Sequence, residues 1–285
     1  MATAARKARG AFRLTAWHIA LIVMLIVILY PVAWMIGTSF KTDREIISSI
    51  SPWPQHFILA NFPTGWSANP GVTFGTFFVN SLIVALGAVA GNLIACSLTA
   101  YAFARLRFRL RGLFFAIMIV TIMMPYHVLI VPQYTIFRYL HWVNTFLPLI
   151  VPKFLATDAF FIFLMVQFMR GVPPDLDDAA RLDGCGPYRT YWYIMLPLVR
   201  PALITTAIFT FIWTWNDYFT QLVYLNSTSK FTVPVGLGLF IDQSGIADYG
   251  PMMAMSVLAL LPVFLFFLAF QRFIVEGITT TGVTG

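Results

Sequence analysis

Six long apolar stretches alternate with short polar ones along the chain. A bilayer-spanning helix takes about 20 mostly apolar residues. By that measure the pattern predicts spans over 14–40, 76–104, 112–137, 143–169, 201–226 and 249–271. Lys153 and Asp158 interrupt the fourth stretch, and Asp217 lies inside the fifth. The first is too long for the apolar core of a secretory leader, and no small-residue cleavage site follows it, so it is read as a retained helix. The expectation is a single all-α polytopic membrane domain.

The polar intervals set the orientation. Most of the 18 Lys and Arg residues fall in 1–13, 105–111, 170–200 and 272–285. The cation-rich side of a membrane protein is cytosolic. Both termini are therefore expected inside, with extracytoplasmic loops at 41–75 and 227–248 and cytosolic segments at 1–13, 170–200 and 272–285. The first outer loop carries Pro52, Trp53, Pro54, Trp66 and Pro70, which suits a small folded cap or interfacial lid.

Composition agrees. The chain is 59% hydrophobic and 10% charged, against about 25% charged for a soluble domain. The excess apolar surface must face lipid. The net charge of +7 belongs with the orientation signals. No basic run interleaved with aromatics forms a polar face, so no nucleic-acid partner is expected. Cys96 and Cys185 do not form a disulfide framework. His18, His56, His127 and His141 are scattered and have no metal-site spacing. None of Lys7, Lys41, Lys153 and Lys230 follows a glycine, so a phosphate-binding Gly-Lys-Ser/Thr loop is absent. No hydrolase elbow or HExxH motif occurs either, and the chain is expected not to be an enzyme.

The most informative segment is the polar loop 170–200. Pro173 and Pro174 suit a first helical turn, and Asp175, Asp177 and Asp178 lie at its positive end. Gly184 and Gly186 break that helix, Pro187 opens a second, and Pro197 and Pro201 lead into the fifth span. The loop resembles the EAA loop of ABC importer permeases: E-A-A, two residues, D-G-A, then an aromatic and L-P-L. Asp178, Ala179 and Ala180 stand at E-A-A, Asp183, Gly184 and Cys185 at D-G-A, Tyr191 at the aromatic, and Leu196, Pro197 and Leu198 at L-P-L. The departures (Asp for Glu, Cys for Ala, Tyr for Phe) keep charge, size or aromaticity.

The likeness extends along the chain to the maltose-type carbohydrate permeases. Asn80-Ser81, residues 100–105, Met124-Pro125, Pro132-Gln133-Tyr134 and Trp215-Asn216-Asp217 all resemble that subfamily. So does the tail 271–285, although Thr284 replaces the usual penultimate Lys. The resemblance implies a type I ABC importer permease fold: six transmembrane helices, N-in and C-in, with a cytosolic coupling-helix hairpin between helices 4 and 5. It implies a multi-pass protein of the cell (plasma or inner) membrane that provides half of an alternating-access pathway. The implied partners are a second permease subunit, two ATPase subunits and an extracytoplasmic solute-binding protein. The chain itself holds no cofactor, since ATP and Mg belong to the ATPase. The implied solutes are mono- or oligosaccharides, sugar alcohols or glycerol phosphodiester-type compounds.

Within the membrane, Asp217 with Trp213, Trp215, Asn216, Tyr218 and Gln221 forms a candidate pathway cluster suited to sugar hydroxyls and ring faces. The alternative is a polar patch binding this helix to the partner permease. Lys153 and Asp158 are five apart, a poor spacing for a direct pair on a continuous helix. Gly87 and Gly91 form a GxxxG expected to pack closely, with span five of the partner as one candidate. The rival readings are an ion-coupled secondary transporter and a non-transporting membrane scaffold. The first fits poorly with six spans, one intramembrane acid of interest and no internal repeat, and the coupling-type loop argues against the second.

Overall fold

In the computed structural model, which describes residues 2–241 and 248–280, the apolar stretches become helices. They are α1 (Ala2–Thr38), α2 (Asp43–Ser48), α3 (Asn61–Trp66), α4 (Phe74–Arg105), α5 (Arg111–Ile122), α6 (Tyr126–Tyr139) and α7 (Leu147–Phe154). There follow α8 (Ala159–Gly171), α9 (Asp175–Leu182), α10 (Pro187–Leu198), α11 (Arg200–Trp215), α12 (Phe219–Tyr224), α13 (Val233–Leu237) and α14 (Tyr249–Thr280). Four segments are long and apolar enough to cross a bilayer: Leu14–Thr38, Phe74–Arg105, Leu147–Gly171 and Tyr249–Arg272. Two bent helix pairs also pass by length and composition, which brings the candidate spans to as many as six. Arg111–Ile122 and His127–Tyr139 meet at 105°, and Pro187–Leu198 and Arg200–Trp215 at 76°. The first bend falls at Met124-Pro125, where the proline restricts the preceding residue and interrupts the helical hydrogen bonds. Tail residues 281–285, including Thr284, lie outside the described residues.

The chain divides into two compact units, residues 71–238 with 259–285 and residues 1–70 with 239–258. In the larger unit α4 is central and packs against α7, α8 and α11. The middle of its buried face is mostly small residues, Ala85, Ala88, Gly91, Ala95 and Cys96 with Asn92 among them, while Phe74, Phe77, Tyr101 and Phe103 fill its ends. Such a surface lets neighbouring backbones approach closely. A Cβ on Gly91 would lie 2.8 Å from Lys153 Cβ and 2.9 Å from the Lys153 carbonyl carbon. One on Gly87 would lie 3.0 Å from Ile150. The GxxxG therefore packs closely on α7 of the same chain. Gly91→Ala is expected to destabilise by about 1–3 kcal/mol, the usual cost of overpacking. Gly112→Ala meets nothing within 4 Å and serves as the neutral control. Thermal unfolding in detergent, followed by size-exclusion fluorescence, would measure both.

Amide and hydroxyl side chains fix the loop after α12. Asn80 Nδ2 donates to the carbonyls of Ser229 (3.0 Å) and Phe231 (2.8 Å), and Ser81 Oγ accepts the Val233 N–H at 2.8 Å. Asn144, at φ 61°, accepts the N–H groups of Asn226 and Ser227 at 3.1 and 3.0 Å. Asn80-Ser81, quoted above only as part of a resemblance, is thus a loop anchor.

In the smaller unit residues 41–70 fold into a small compact layer. Phe40 stacks on Phe57 with ring centroids 4.5 Å apart, and Asn61 Nδ2 donates to the carbonyls of Ser39 and Lys41. The Lys41 side chain is fully buried, with Nζ bonded to the Ser51 carbonyl. Asp43 Oδ1 accepts the Gly250 N–H at 3.0 Å, which places a carboxylate at the positive end of α14.

Candidate functional site: a helical hairpin and a polar node at a helix break

Residues 171–201 form the hairpin that the proline and glycine spacing predicts. The helix α9 starts after Pro173-Pro174 and carries Asp175, Asp177 and Asp178 in its first turn. It ends in a Schellman turn: Cys185 N–H donates to Ala180 O (2.8 Å) and Gly184 N–H to Arg181 O (3.0 Å). That geometry needs a left-handed residue, and Gly184 supplies φ +77°. Pro187 then opens α10, which widens into a π turn over Tyr191–Met195.

The hairpin has two unlike faces. Asp177, Ala180, Thr190, Tyr191 and Met195 are buried. Tyr191 Oη lies 2.7 Å from Ser97 Oγ of α4, and its ring is 5.3 Å from that of Tyr101. Burial pushes the Tyr191 phenol up from its ordinary value, opposed by the Ser97 hydrogen bond, so the group stays a neutral hydroxyl. On the other face Asp178, Ala179, Asp183, Gly184 and Pro197 are exposed, while Cys185 and Leu196 are half-buried. Asp178 pairs with Arg181 at 2.7 Å, an exposed ion pair of little energetic consequence. Leu182 (90% exposed), Tyr188 (80%), Tyr193 (78%) and Trp192 add an apolar surface at the tip.

A second cluster lies in the fourth span, which is broken between α7 and α8. Residues 155–158 leave the helix, with Ala156 at φ 57°. The break folds the chain back far enough for Lys153 Nζ to donate to both carboxylate oxygens of Asp158, at 2.8 and 3.1 Å. The five-residue spacing is poor for a direct pair on a continuous helix, and the break is what lets the two side chains meet. Asn92 Nδ2 donates to Asp158 Oδ2 (2.6 Å) and to Thr210 Oγ1 (3.0 Å), so one amide joins α4, the break and α11. The 13-residue α8 puts Asp158 about 20 Å from that helix's far end.

The candidate pathway residues are split by the end of α11. Trp215 is buried against Phe211, its Nε1 donating to Ala259 O at 3.1 Å. Asn216 bonds back to Ile212 O, and Asp217 Oδ1 accepts the Thr220 N–H at 3.0 Å. Gln221 is buried, donating to Thr214 O and accepting from Thr232. Only Trp213 and Tyr218 present large exposed rings, and Trp213 packs on Phe160, Phe161 and Phe209. The six therefore do not converge. The helix break, the hairpin's Arg105 contact described below, and Asn92 escaped the sequence reading. A lone amide inside an apolar run was the signal for Asn92.

The fold is that of an all-α, multi-pass membrane protein. A family model described as binding-protein-dependent transport system inner membrane component matches residues 87–280, and the chain belongs to that family. Its members are permease subunits of ABC importers, are not themselves enzymes, and work with other subunits. The chain is 32% identical over 259 residues to the arabinooligosaccharides transport system permease protein AraQ of Halalkalibacterium halodurans, covering 90% of this chain and 91% of the relative. It is 32% identical over 268 residues to the trehalose/maltose transport system permease protein MalG of Thermococcus litoralis, covering 94% and 95%. Its fold matches a chain in the crystal structure of a bacterial ABC transporter involved in the import of the acidic polysaccharide alginate. There the TM-score is 0.77 at 22% identity, covering 90% of this chain and 94% of that one. The fold is that of a type I ABC importer permease in the cell membrane.

Proposed function

We propose that this permease subunit serves an ATP-driven importer of carbohydrates or related polyols and sugar phosphates. The observation that carries the reading is the two-faced hairpin: one side buried on α4, the other offering Leu182, Tyr188, Trp192 and Tyr193 to a partner. A short rigid helical element with a fixed turn transmits displacement, where a loose loop would absorb it. The occupant of the outer face is an ATPase subunit that binds the ATP and Mg, two copies serving the complex. A second permease completes the pathway, and an extracytoplasmic binding protein delivers solute. The cation distribution supports a cytosolic hairpin and cytosolic termini. The sugar class is supported by relatives named for arabinooligosaccharides and trehalose/maltose.

The pathway is proposed to pass the break in the fourth span. Irregular backbone at membrane depth is tolerated where protein or water covers it, not lipid. The exposed Trp213 ring beside Phe160 offers a flat apolar surface near it.

The test is a mild-detergent purification of the tagged chain from its native membranes with mass spectrometry. Recovery of an ATPase, a sister permease and a solute-binding protein is expected. Recovery of the chain alone or as a homomer across several detergents would overturn the reading. Leu182→Asp combined with Tyr193→Asp is expected to reduce the co-purifying ATPase about ten-fold or more, as for interface anchors placed at a buried core. Insertion and the yield of the permease itself would not change.

A further inference from the structure

The last residue of α4, Arg105, holds three partners. Its Nη2 donates to the carbonyls of Met169 (2.7 Å) and Val172 (2.5 Å), at the end of α8. Its Nη1 lies 3.3 Å from Asp177 Oδ2, in the first turn of α9. Both side chains are 11% exposed, which removes the pair from the class of surface ion pairs. Removing one member of such a pair strands the other charge. Eight residues earlier on the same helix, Ser97 bonds Tyr191 of α10. Helix α4 therefore grips both arms of the hairpin, α9 through Arg105 and α10 through Ser97. On the other side of the hairpin the connection to α11 is a 76° bend at Val199, and the lead-in from α8 is the short segment Val172-Pro173-Pro174. Further along α4, Asn92 touches Asp158 at the break and Thr210 of α11.

We propose that Arg105 is a positioning residue for transport: its ion pair with Asp177 fixes the hairpin to α4, so that force applied at the hairpin tip moves α4 and, through Asn92, the polar node in the fourth span. Without the pair, the same displacement is taken up in 172–174 and at the 76° bend. Lysine could hold the charge but not the three-way fork, because only guanidinium presents planar donors to two carbonyls and a carboxylate together. The inference rests on the reading of the hairpin as the ATPase-coupling element.

The experiment uses the complete importer complex in proteoliposomes, loaded with its binding protein. Arg105→Gln, Arg105→Lys and Asp177→Asn are compared with wild type by solute taken up per ATP hydrolysed and by ATPase retained per permease. Asp177→Asn is nearly isosteric and guards against a variant that fails to fold. Arg105→Gln and Asp177→Asn are expected to lower uptake per ATP about ten-fold, within the usual span of coupling energies, with the ATPase retained at wild-type stoichiometry. Arg105→Lys is expected to recover part of the loss. An unchanged ratio in both variants overturns the clamp, as does a loss of uptake that only tracks loss of assembled complex. A wild-type chain that carries no ATPase overturns the hairpin reading itself and the clamp with it, an outcome distinct from either of those.

Discussion

Gly184→Pro is expected to abolish solute uptake while leaving the spans inserted and the permease at normal yield. Gly184 sits at φ +77° and its N–H donates to Arg181 O. Proline can supply neither, since its φ is locked near −65° and it has no N–H. The turn between α9 and α10 must then re-form differently, at a local cost of about 3 kcal/mol. The damage stays local because the surrounding core of α4, α8 and α11 is held by other contacts, with Met165, Met169 and Ala202 fully buried. Gly184→Ala is the graded control. No atom lies within 4 Å of the added Cβ, so only the left-handed backbone penalises it, by about 1–2 kcal/mol. Uptake by Gly184→Ala should fall between wild type and Gly184→Pro. Transport assays with parallel surface labelling would measure the series, and wild-type uptake by Gly184→Pro would refute the coupling role of the turn.

Asp158→Ala is expected to be the most damaging single change in the membrane region. It would leave the Lys153 ammonium without its carboxylate, and Asn92 Nδ2 with one acceptor in place of two. Breaking a buried ion pair costs about 3–5 kcal/mol, because the remaining charge is uncompensated. The two side chains here are 28% and 25% exposed, so the lower end, about 3 kcal/mol, applies. Lys153→Met with Asp158→Leu should recover most of the folded yield, since a fully apolar replacement strands no charge. Thermal stability of the two singles and the double closes a mutant cycle. Strongly non-additive losses are expected, and additive ones would mean the pair is not coupled. If the double variant folds but does not transport, the node also meets the pathway.

The resemblance in loop 170–200 was legible because its turn chemistry is local. Pro173, Gly184 and Pro187 act through their own backbone preferences and need no distant partner. The roles at Asp217 and Gln221 were less legible. An acid inside an apolar stretch reads as a pathway residue, but Asp217 caps the start of α12 and Gln221 ties a loop. Both depend on the helix ending at Trp215, which no residue in that apolar run announces.

The sequence by itself determined the class of this protein: apolar stretches long enough to span, cations on one side, and a proline–glycine hairpin in the polar interval between spans four and five. These are properties of composition and of single residues' backbone freedom, so they survive without any knowledge of packing. Only the tertiary structure decided which residues meet. Lys153 reaches Asp158 because the fourth span breaks, Gly91 admits α7 of its own chain, and Arg105 grips Asp177 from 72 positions away. Such contacts rest on helix breaks and on the approach of distant helices, which apolar periodicity leaves open because every lipid-compatible face looks alike in a membrane sequence.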